Sequence, residues 1–303
     1  MRALAAFVMR GLAPAALVAG GAAVLTPFLP PLSYLSAAVV ALVSLRRGAL
    51  DGLLVAAAAG AAFAGAARWL LGGPPALGLD FVVVGLLPTW ALALVLRHSV
   101  SLALTLEVGA LAAGALVLLV HLLLDDPAAW WRQVLGVMER SAREPEALRP
   151  LVEAFRAAAP ILTGLLAALL YLSAVGSLLL GRWWQALLYN PGGFRREFHG
   201  LRLSRLFAFL TLGVGILSLF PGPVGLVAGN VLLVLVVAYA VHGLALAHGV
   251  AAARRAHVGW LFALYVLAVV ALPQVALALA VAGWADTFVD FRGRLAGRTP
   301  PDA

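Results

Sequence analysis

The apolar segments of this sequence contain few ionisable side chains, and each one is a candidate for chemistry because a charge is costly inside hydrocarbon. Glu107 lies about one and a half turns, or roughly 7 Å, inside an apolar run that begins at Leu102. A carboxylate at this depth can be a proton or substrate site. It can equally be a structural group that pairs with Arg97 or Arg182.

Three polar side chains share the apolar run from Pro223 to Val250, namely Asn230, His242 and His248. At 3.6 residues per turn, the six-residue spacing of the histidines turns them roughly 120° apart, so a shared metal ion is not predicted. Hydrogen bonding between helices is the expected role of all three, and a functional site is the alternative.

Charged residues follow the last apolar run. Asp286, Asp290 and Arg294 are spaced i, i+4, i+8, so they share one face if the last helix continues past Trp284. Together with Arg292, this stripe is predicted to be either a charge-balanced helix end or a docking site for a neighbouring span or a partner protein.

A second charged feature is the arginine-rich connection over residues 182–205, which contains Arg195 and Arg196. One interpretation is a cytoplasmic anchor with Trp183 and Trp184 at the membrane interface. The other is a surface that couples to partner proteins or to anionic lipids, since clustered arginines attract acidic headgroups.

Patterns that carry common catalytic or cofactor chemistry do not occur in the sequence. Cysteine is absent, which excludes disulfides, thiolate metal sites and iron–sulfur clusters. No Ser-His-Asp, HExxH or Walker A pattern is found. We therefore expect a protein that is not an enzyme and has no cofactor or metal site.

The elements that position these residues follow from composition. Hydrophobic residues make up 64% of the 303 positions, charged residues 11%, and the mean hydropathy is +1.04. Soluble domains are about half apolar and a quarter charged, so a lipid bilayer is the predicted surrounding. The net charge of +8 is scattered between apolar runs, which favours membrane topology over nucleic-acid binding.

Backbone groups inside a bilayer must satisfy their own hydrogen bonds, so each long apolar run predicts a helix. The fold class is therefore an all-α polytopic transmembrane bundle with about nine spans, or eight as an alternative. The predicted runs are Gly11 to Leu29, Pro31 to Leu45, Leu50 to Trp69, Phe81 to Leu96, Leu102 to Leu124, Pro160 to Leu180, Leu206 to Phe220, Pro223 to Val250 and Val258 to Trp284.

Chain order suggests a single membrane domain with a six-helix part over residues 1–181, the arginine-rich connection over 182–205 and a three-span part with a tail over 206–303. Arginines recur in alternate connections, which predicts a bacterial-type inner membrane protein with a cytoplasmic N-terminus. The tail, with Arg292, Arg294 and Arg298, disagrees with nine spans. A short segment that does not cross, or a re-entrant last run broken at Pro273 and Gln274, would resolve this.

The connection over residues 125–159 contains two apolar stripes at helical spacing. Trp130, Trp131, Val134 and Met138 form the first, and Leu148, Leu151, Val152 and Phe155 the second. We expect two short amphipathic helices on the outer side, split near Glu144-Pro145, that act as a surface cap or as a gating lid.

The first run has a small-residue face, with Ala15, Ala19 and Ala23 every four positions, on which another helix can approach closely. With six predicted spans in its first part, the chain resembles the S components of energy-coupling-factor vitamin transporters. That resemblance implies a small-molecule-binding role and another membrane protein docked on this face, and the extra C-terminal spans depart from it.

Two motifs carry a further resemblance. They are Gly181-Arg182-Trp183-Trp184-Gln185 with the segment Asn190 to Phe198, and Gly283-xx-Asp286-xxx-Asp290-Phe291-Arg292. Over most of its length the chain resembles the YybS-type bacterial membrane proteins, a family built on a domain of unknown function. This resemblance implies a membrane location and no particular activity.

Two hypotheses of different classes remain from the sequence. The first is a non-enzymatic membrane protein that binds a small molecule or works as a transporter component. The second is a membrane scaffold that recruits partners through its arginine-rich connection and its C-terminal stripe.

Overall fold

The computed structural model describes residues 1–141 and 145–296, and within these ranges the chain is helical and has no β-strand. The all-α prediction is confirmed there. The helices are α1 (Arg2–Val8), α2 (Leu12–Leu25), α3 (Leu32–Arg47), α4 (Ala49–Leu71), α5 (Ala76–Asp80), α6 (Leu87–Ser99), α7 (Leu102–Leu123), α8 (Pro127–Ser141), α9 (Pro145–Ala157), α10 (Leu162–Tyr189), α11 (Gly193–His199), α12 (Arg205–Leu217), α13 (Pro223–Ala253), α14 (Gly259–Val270), α15 (Leu272–Val289) and α16 (Phe291–Ala296). A π-helical turn, Phe81–Leu86, joins α5 to α6, and a 3₁₀ turn, Ala159–Ile161, precedes α10.

Six helical segments of the described chain are long and apolar enough to cross a membrane. They are Ala49–Leu70, Ala76–Ser99, Leu102–Leu123, Ala159–Tyr189, Pro223–Ala253 and Leu272–Val289. The predicted runs Gly11 to Leu29, Pro31 to Leu45 and Leu206 to Phe220 form the shorter helices α2, α3 and α12, of 14, 16 and 13 residues. Each is about 20–24 Å long, short of the ~30 Å hydrocarbon core, so nine full spans are not confirmed.

The last predicted run, Val258 to Trp284, is two helices and not one. α14 ends at Val270 and α15 begins at Leu272, with Ala271 between them at φ −135° and ψ 52°. Pro273 lies in the first turn of α15, where its missing N–H does no harm, but it cannot extend a helix that arrives from α14. Proline therefore determines where this run divides.

The chain forms two compact units that do not follow chain order. Unit 1 comprises Met1–Leu106 and Leu170–Leu201, and unit 2 comprises Glu107–Leu169 and the chain from Arg202 onward. α7 and α10 are each divided between the two units, α7 after Leu106 and α10 after Leu169. The division into residues 1–181, 182–205 and 206–303 followed the sequence alone, and these two units have different boundaries.

The core of unit 1 is built around α3, in which every residue from Ser36 to Leu45 is buried. α2 lies against α3 and α4 through its small-residue face, and Ala15, Ala19 and Ala23 are completely buried there. The face that the sequence suggested for another membrane protein is therefore covered by this chain itself. Close approach between helices, the property inferred from the alanines, is present within the unit.

Trp184 lies in the same core and not at a membrane interface. A Cβ on Gly181 would lie 2.8 Å from the carbonyl oxygen of Ala38, so α10 approaches α3 more closely than any larger residue allows. The Trp184 side chain, three residues further on, is completely buried as a result. The interfacial placement predicted for Trp184 is wrong, because residue type alone does not separate an interfacial tryptophan from a core one.

Unit 2 is organised around α13, which packs along α15. Glycines on both helices make this contact close: a Cβ on Gly243 would lie 1.9 Å from the Leu279 carbonyl oxygen, and one on Gly283 would lie 2.6 Å from the Tyr239 carbonyl oxygen. α8 and α9 in the same unit confirm the two short helices predicted over residues 125–159.

Much of the apolar surface of the helices is exposed in the isolated chain. α14 has no buried residue, and Trp260, Phe262 and Val269 are 74%, 71% and 86% exposed. Soluble proteins rarely expose contiguous apolar surface on this scale. Together with the six long apolar segments, this identifies a membrane protein whose helices lie in a lipid bilayer.

The close packing of α13 on α15 can be tested by adding a methyl group at Gly243. Gly243→Ala introduces a methyl group into the Leu279 backbone, so we expect a loss of about 1–3 kcal/mol in the free energy of unfolding. Gly229→Ala on the same helix is the matched control, because a Cβ there meets nothing within 4 Å. Thermal denaturation in detergent compares the two, and equal midpoints would contradict the close packing.

Candidate functional site: a buried cluster of charged groups

Asp286 is the centre of the candidate site. Its side chain is completely buried near the end of α15, a few residues beyond Gly283. Because Gly283 and Gly243 bring α15 onto α13, the carboxylate lies beside His242, whose side chain is also completely buried. A buried ionic group without compensation would be strongly unfavourable, so its neighbours determine what it can do.

Three nitrogen-bearing side chains converge on one carboxylate oxygen of Asp286. Its Oδ2 lies 3.3 Å from His242 Nε2, 3.5 Å from Arg202 Nε and 3.6 Å from Arg292 Nη2. The other oxygen, Oδ1, accepts a hydrogen bond of 3.0 Å from the backbone N–H of Phe291. The two arginine contacts exceed the usual 2.7–2.9 Å of charge-assisted hydrogen bonds and act mainly through charge, whereas His242 makes a long hydrogen bond.

Asp290 completes the cluster from the exposed side. It ends α15 with φ 52°, in the left-handed region, and pairs with Arg202. That hydrogen bond, with one from the Gly293 N–H, lowers the pKa of Asp290. Burial alone would lower the pKa of Arg202, but its hydrogen bond to Asp290 and the charge of Asp286 together raise it. Burial also lowers the pKa of Arg292.

The predicted stripe of Asp286, Asp290 and Arg294 on one continuous helix is wrong, because α15 ends at Val289. The two carboxylates instead reach Arg202 from different directions, one from the helix and one from the turn that follows it. The side chain of Arg294 lies outside those that the structure describes.

Some polar atoms beside this cluster have no hydrogen-bond partner within the described residues. They include Nδ1 of His242 and the hydroxyl of Tyr239, which lies near the hydroxyls of Thr211 and Thr287 without a hydrogen bond of normal geometry. A buried polar group left unpaired costs about 1–3 kcal/mol and calls for an explanation such as a bound ligand or water.

A cavity lies beside Tyr239. It has a volume of about 240 Å³, and Tyr239, Trp284 and Thr211 line it together with apolar side chains of α12, α13 and α15. The rings of Tyr239 and His242 have their centres 6.1 Å apart, so Tyr239 connects the wall of the cavity to the charged cluster. The arrangement offers an apolar space with ionisable groups directly behind it.

Asn230 has a structural role at another point of unit 2. Its Oδ1 accepts from the Gly164 N–H at 2.7 Å, and its Nδ2 donates to the carbonyls of Pro160 and Leu226, both at 2.9 Å. The Gly164 N–H belongs to the first turn of α10 and has no partner within its own helix. The predicted hydrogen bonding between helices is what the geometry shows for Asn230.

Glu107 does not pair with either arginine considered for it. Its carboxylate accepts a hydrogen bond from the backbone N–H of Ser204, the residue that precedes α12. The Ser204 hydroxyl in turn accepts from the Phe207 N–H, which caps the same helix. Glu107 therefore lies at the start of α12, where the helix dipole favours a negative charge.

The two arginines considered as partners of Glu107 have other contacts, both within unit 1. Arg97 donates to the carbonyls of Ser44 and Leu45, and Arg182 pairs with Glu197 at 2.7 Å. Arg195 and Arg196, on the short helix α11, have exposed side chains. Both belong to unit 1, whereas the buried cluster belongs to unit 2.

Arg202 and Tyr239 are the members of the site that the sequence did not single out. Arg202 lies between two buried leucines, Leu201 and Leu203, in the non-helical segment before α12. The Leu-Arg-Leu pattern in a segment outside the helices is the signal that was available. Tyr239, three residues before His242, shares its helical face.

The fold and the site together define an α-helical membrane protein with a buried ionic cluster beside an apolar cavity. No protein-family model, no curated protein and no solved structure matches the chain.

Removing the central carboxylate should destabilise the protein. Asp286→Asn leaves Arg202 and Arg292 without their shared counter-charge, so we expect the free energy of unfolding to fall by about 3 kcal/mol. Asp290→Asn is the control and should have a much smaller effect, because that side chain is half exposed. Denaturation in detergent measures both, and an Asp286→Asn variant as stable as Asp290→Asn would contradict the assignment.

Proposed function

We propose that this protein is a non-enzymatic small-molecule-binding protein of a bacterial inner membrane, or the binding component of a transporter, with its ligand in the cavity beside Tyr239. The observation that carries the proposal is the combination of that cavity with the unpartnered polar atoms of Tyr239 and His242. Ligand sites are typically apolar clefts with a few polar groups, and here the lining is almost entirely apolar while the polar atoms of Tyr239 and His242 lie buried behind it.

The size of the cavity limits the ligand. Its volume of about 240 Å³ is below the ~300–1,000 Å³ usual for drug-sized ligands, so a smaller, mostly apolar molecule with one hydrogen-bonding group fits best. Ionisable groups inside membrane helices commonly mark substrate or proton pathways, which supports a transport role for His242 and Asp286.

Resemblance gives this proposal further support. The similarity to S components favours a small-molecule ligand, and the similarity to YybS-type proteins favours a bacterial membrane. The arginines in alternate connections favour an N-terminus on the cytoplasmic side.

The test is a ligand screen with a matched pair of tyrosine variants. A compound that binds only the native state must raise apparent stability, so the purified protein is screened against vitamins, nucleosides and lipids by thermal shift. Tyr239→Phe removes only the unpartnered hydroxyl, so we expect unchanged stability and about tenfold weaker binding of the ligand found.

Tyr265→Phe is the control for that experiment, because its hydroxyl bonds His248 at 2.8 Å and lies outside the cavity lining. This variant should bind the ligand as the unmodified protein does. A screen without any stabilising compound, or a ligand that binds Tyr239→Phe with full affinity, would contradict the proposal.

A second candidate function is a membrane scaffold, favoured by the exposed side chains of Arg195 and Arg196 on α11. If these arginines recruit partners, the variant with both changed to Ala should lose the proteins that co-purify with the unmodified chain. The matched control changes Arg2 and Arg10, which are also exposed, to Ala. An unchanged set of partners in the Arg195 and Arg196 variant would contradict the scaffold function.

A further inference from the structure

Unit 1 contains a polar cavity of about 380 Å³ that is separate from the cluster around Asp286. Three arginines line it, Arg46 from the end of α3, Arg97 from α6 and Arg182 from α10, and Glu197 is its one acidic residue. Three positive groups and one negative group leave the lining with a net charge of +2. A cavity of this charge attracts an anion.

The guanidinium groups of Arg97 and Arg46 are held in place by different contacts. Arg97 Nη1 donates to the carbonyls of Ser44 and Leu45, both at 3.1 Å, in the last turn of α3. The guanidinium of Arg46 lies over the ring of Tyr189, 3.8 Å from its centre.

Stacking occupies the face of the Arg46 group and leaves its N–H edge available, and Arg97 keeps the N–H groups of Nε and Nη2. Both positive groups are therefore oriented before any ligand arrives. Such preorganisation reduces the entropy that binding must overcome.

Backbone strain at the edge of the cavity is a second, independent observation. Val100, which also lines the cavity, has φ 51° and ψ 22°, in the left-handed region that β-branched residues strongly disfavour. It ends α6 three residues after Arg97, and its side chain is 83% exposed, so burial of this valine does not compensate the strain. Strain of this kind concentrates at ligand-binding positions.

We propose that this cavity binds a phosphate monoester group, which belongs either to a soluble metabolite or to the headgroup of a membrane lipid. A phosphate monoester carries about −1.5 to −2 charges at pH 7, which matches the net charge of the lining, whereas a carboxylate would neutralise only half of it. The planar guanidinium fork also suits bidentate binding to phosphate oxygens. The cavity is larger than a bare phosphate and has room for the group that bears it.

The first arm of the test uses a soluble monoester. The full chain in uncharged detergent is titrated with glycerol 3-phosphate, with glycerol in sodium chloride of equal ionic strength as the reference. If a soluble monoester is the ligand, Arg46→Gln and Arg97→Gln should each weaken its binding about tenfold or more, the effect of losing one charged hydrogen bond. Arg46 is exposed, so we expect Arg46→Gln to fold. It keeps the test valid even if Arg97→Gln, which loses the contacts to α3, does not fold.

The second arm distinguishes the lipid source. The chain is placed in phosphatidylcholine nanodiscs with or without phosphatidic acid, whose headgroup is a phosphate monoester. Stabilisation by phosphatidic acid that Arg46→Gln abolishes identifies a lipid ligand, and stabilisation by glycerol 3-phosphate identifies a soluble one. Arg68→Gln, an exposed arginine of unit 1 outside the cavity, should respond to either probe as the unmodified chain does.

The proposal is overturned if neither probe stabilises the protein. It is also overturned if Arg46→Gln and Arg68→Gln lose binding to the same extent, because the effect would then come from general surface charge.

Discussion

A carboxylate that is removed completely from solvent is tolerated only where positive charge and hydrogen-bond donors surround it. Asp286 meets this condition by drawing on three other elements: the segment before α12 supplies Arg202, α13 supplies His242, and the start of α16 supplies Arg292 and a backbone N–H. The arrangement of these elements in unit 2 is thereby coupled to one charge. A shift of any of them would remove part of the compensation of this charge.

The close contact of α13 with α15 makes this burial possible. Membrane helices gain little from hydrophobic association, because lipid tails are as apolar as leucine, so close packing and polar contacts between helices determine how they associate. Gly243 and Gly283 provide the packing, and the His242 contact with Asp286 provides a polar interaction on the same two helices. The glycines and the ionic cluster are therefore parts of one interface.

Hydropathy predicted the apolar helices that a lipid bilayer requires. It located most apolar helices, and the amphipathic stripes located α8 and α9, because these properties depend on residues close together in the sequence. Asn230 was also interpreted correctly, since a deeply placed amide has few roles other than hydrogen bonding between helices. The count of nine spans is not confirmed, because an apolar run does not reveal the length of the helix it forms.

The features that were missed depend on contacts between distant segments. Nothing local indicates that Arg202 pairs with Asp286, or that α3 and α4 cover the alanine face of α2. The end of α15 at Val289 was missed for a related reason, since the charges beyond it are as compatible with helix as with a turn. Composition therefore predicts which segments are membrane-like, whereas the site is determined by which helices meet.

The most direct test of this account is a double-mutant cycle between Arg202 and Asp286. The free energy of unfolding in detergent is measured for the unmodified chain, Arg202→Gln, Asp286→Asn and the double variant. If the two groups compensate each other, the double variant is more stable than the sum of the single effects allows, by about 1 kcal/mol or more. Single effects that add to within about 0.5 kcal/mol would contradict the ionic cluster as the constraint that holds unit 2 together.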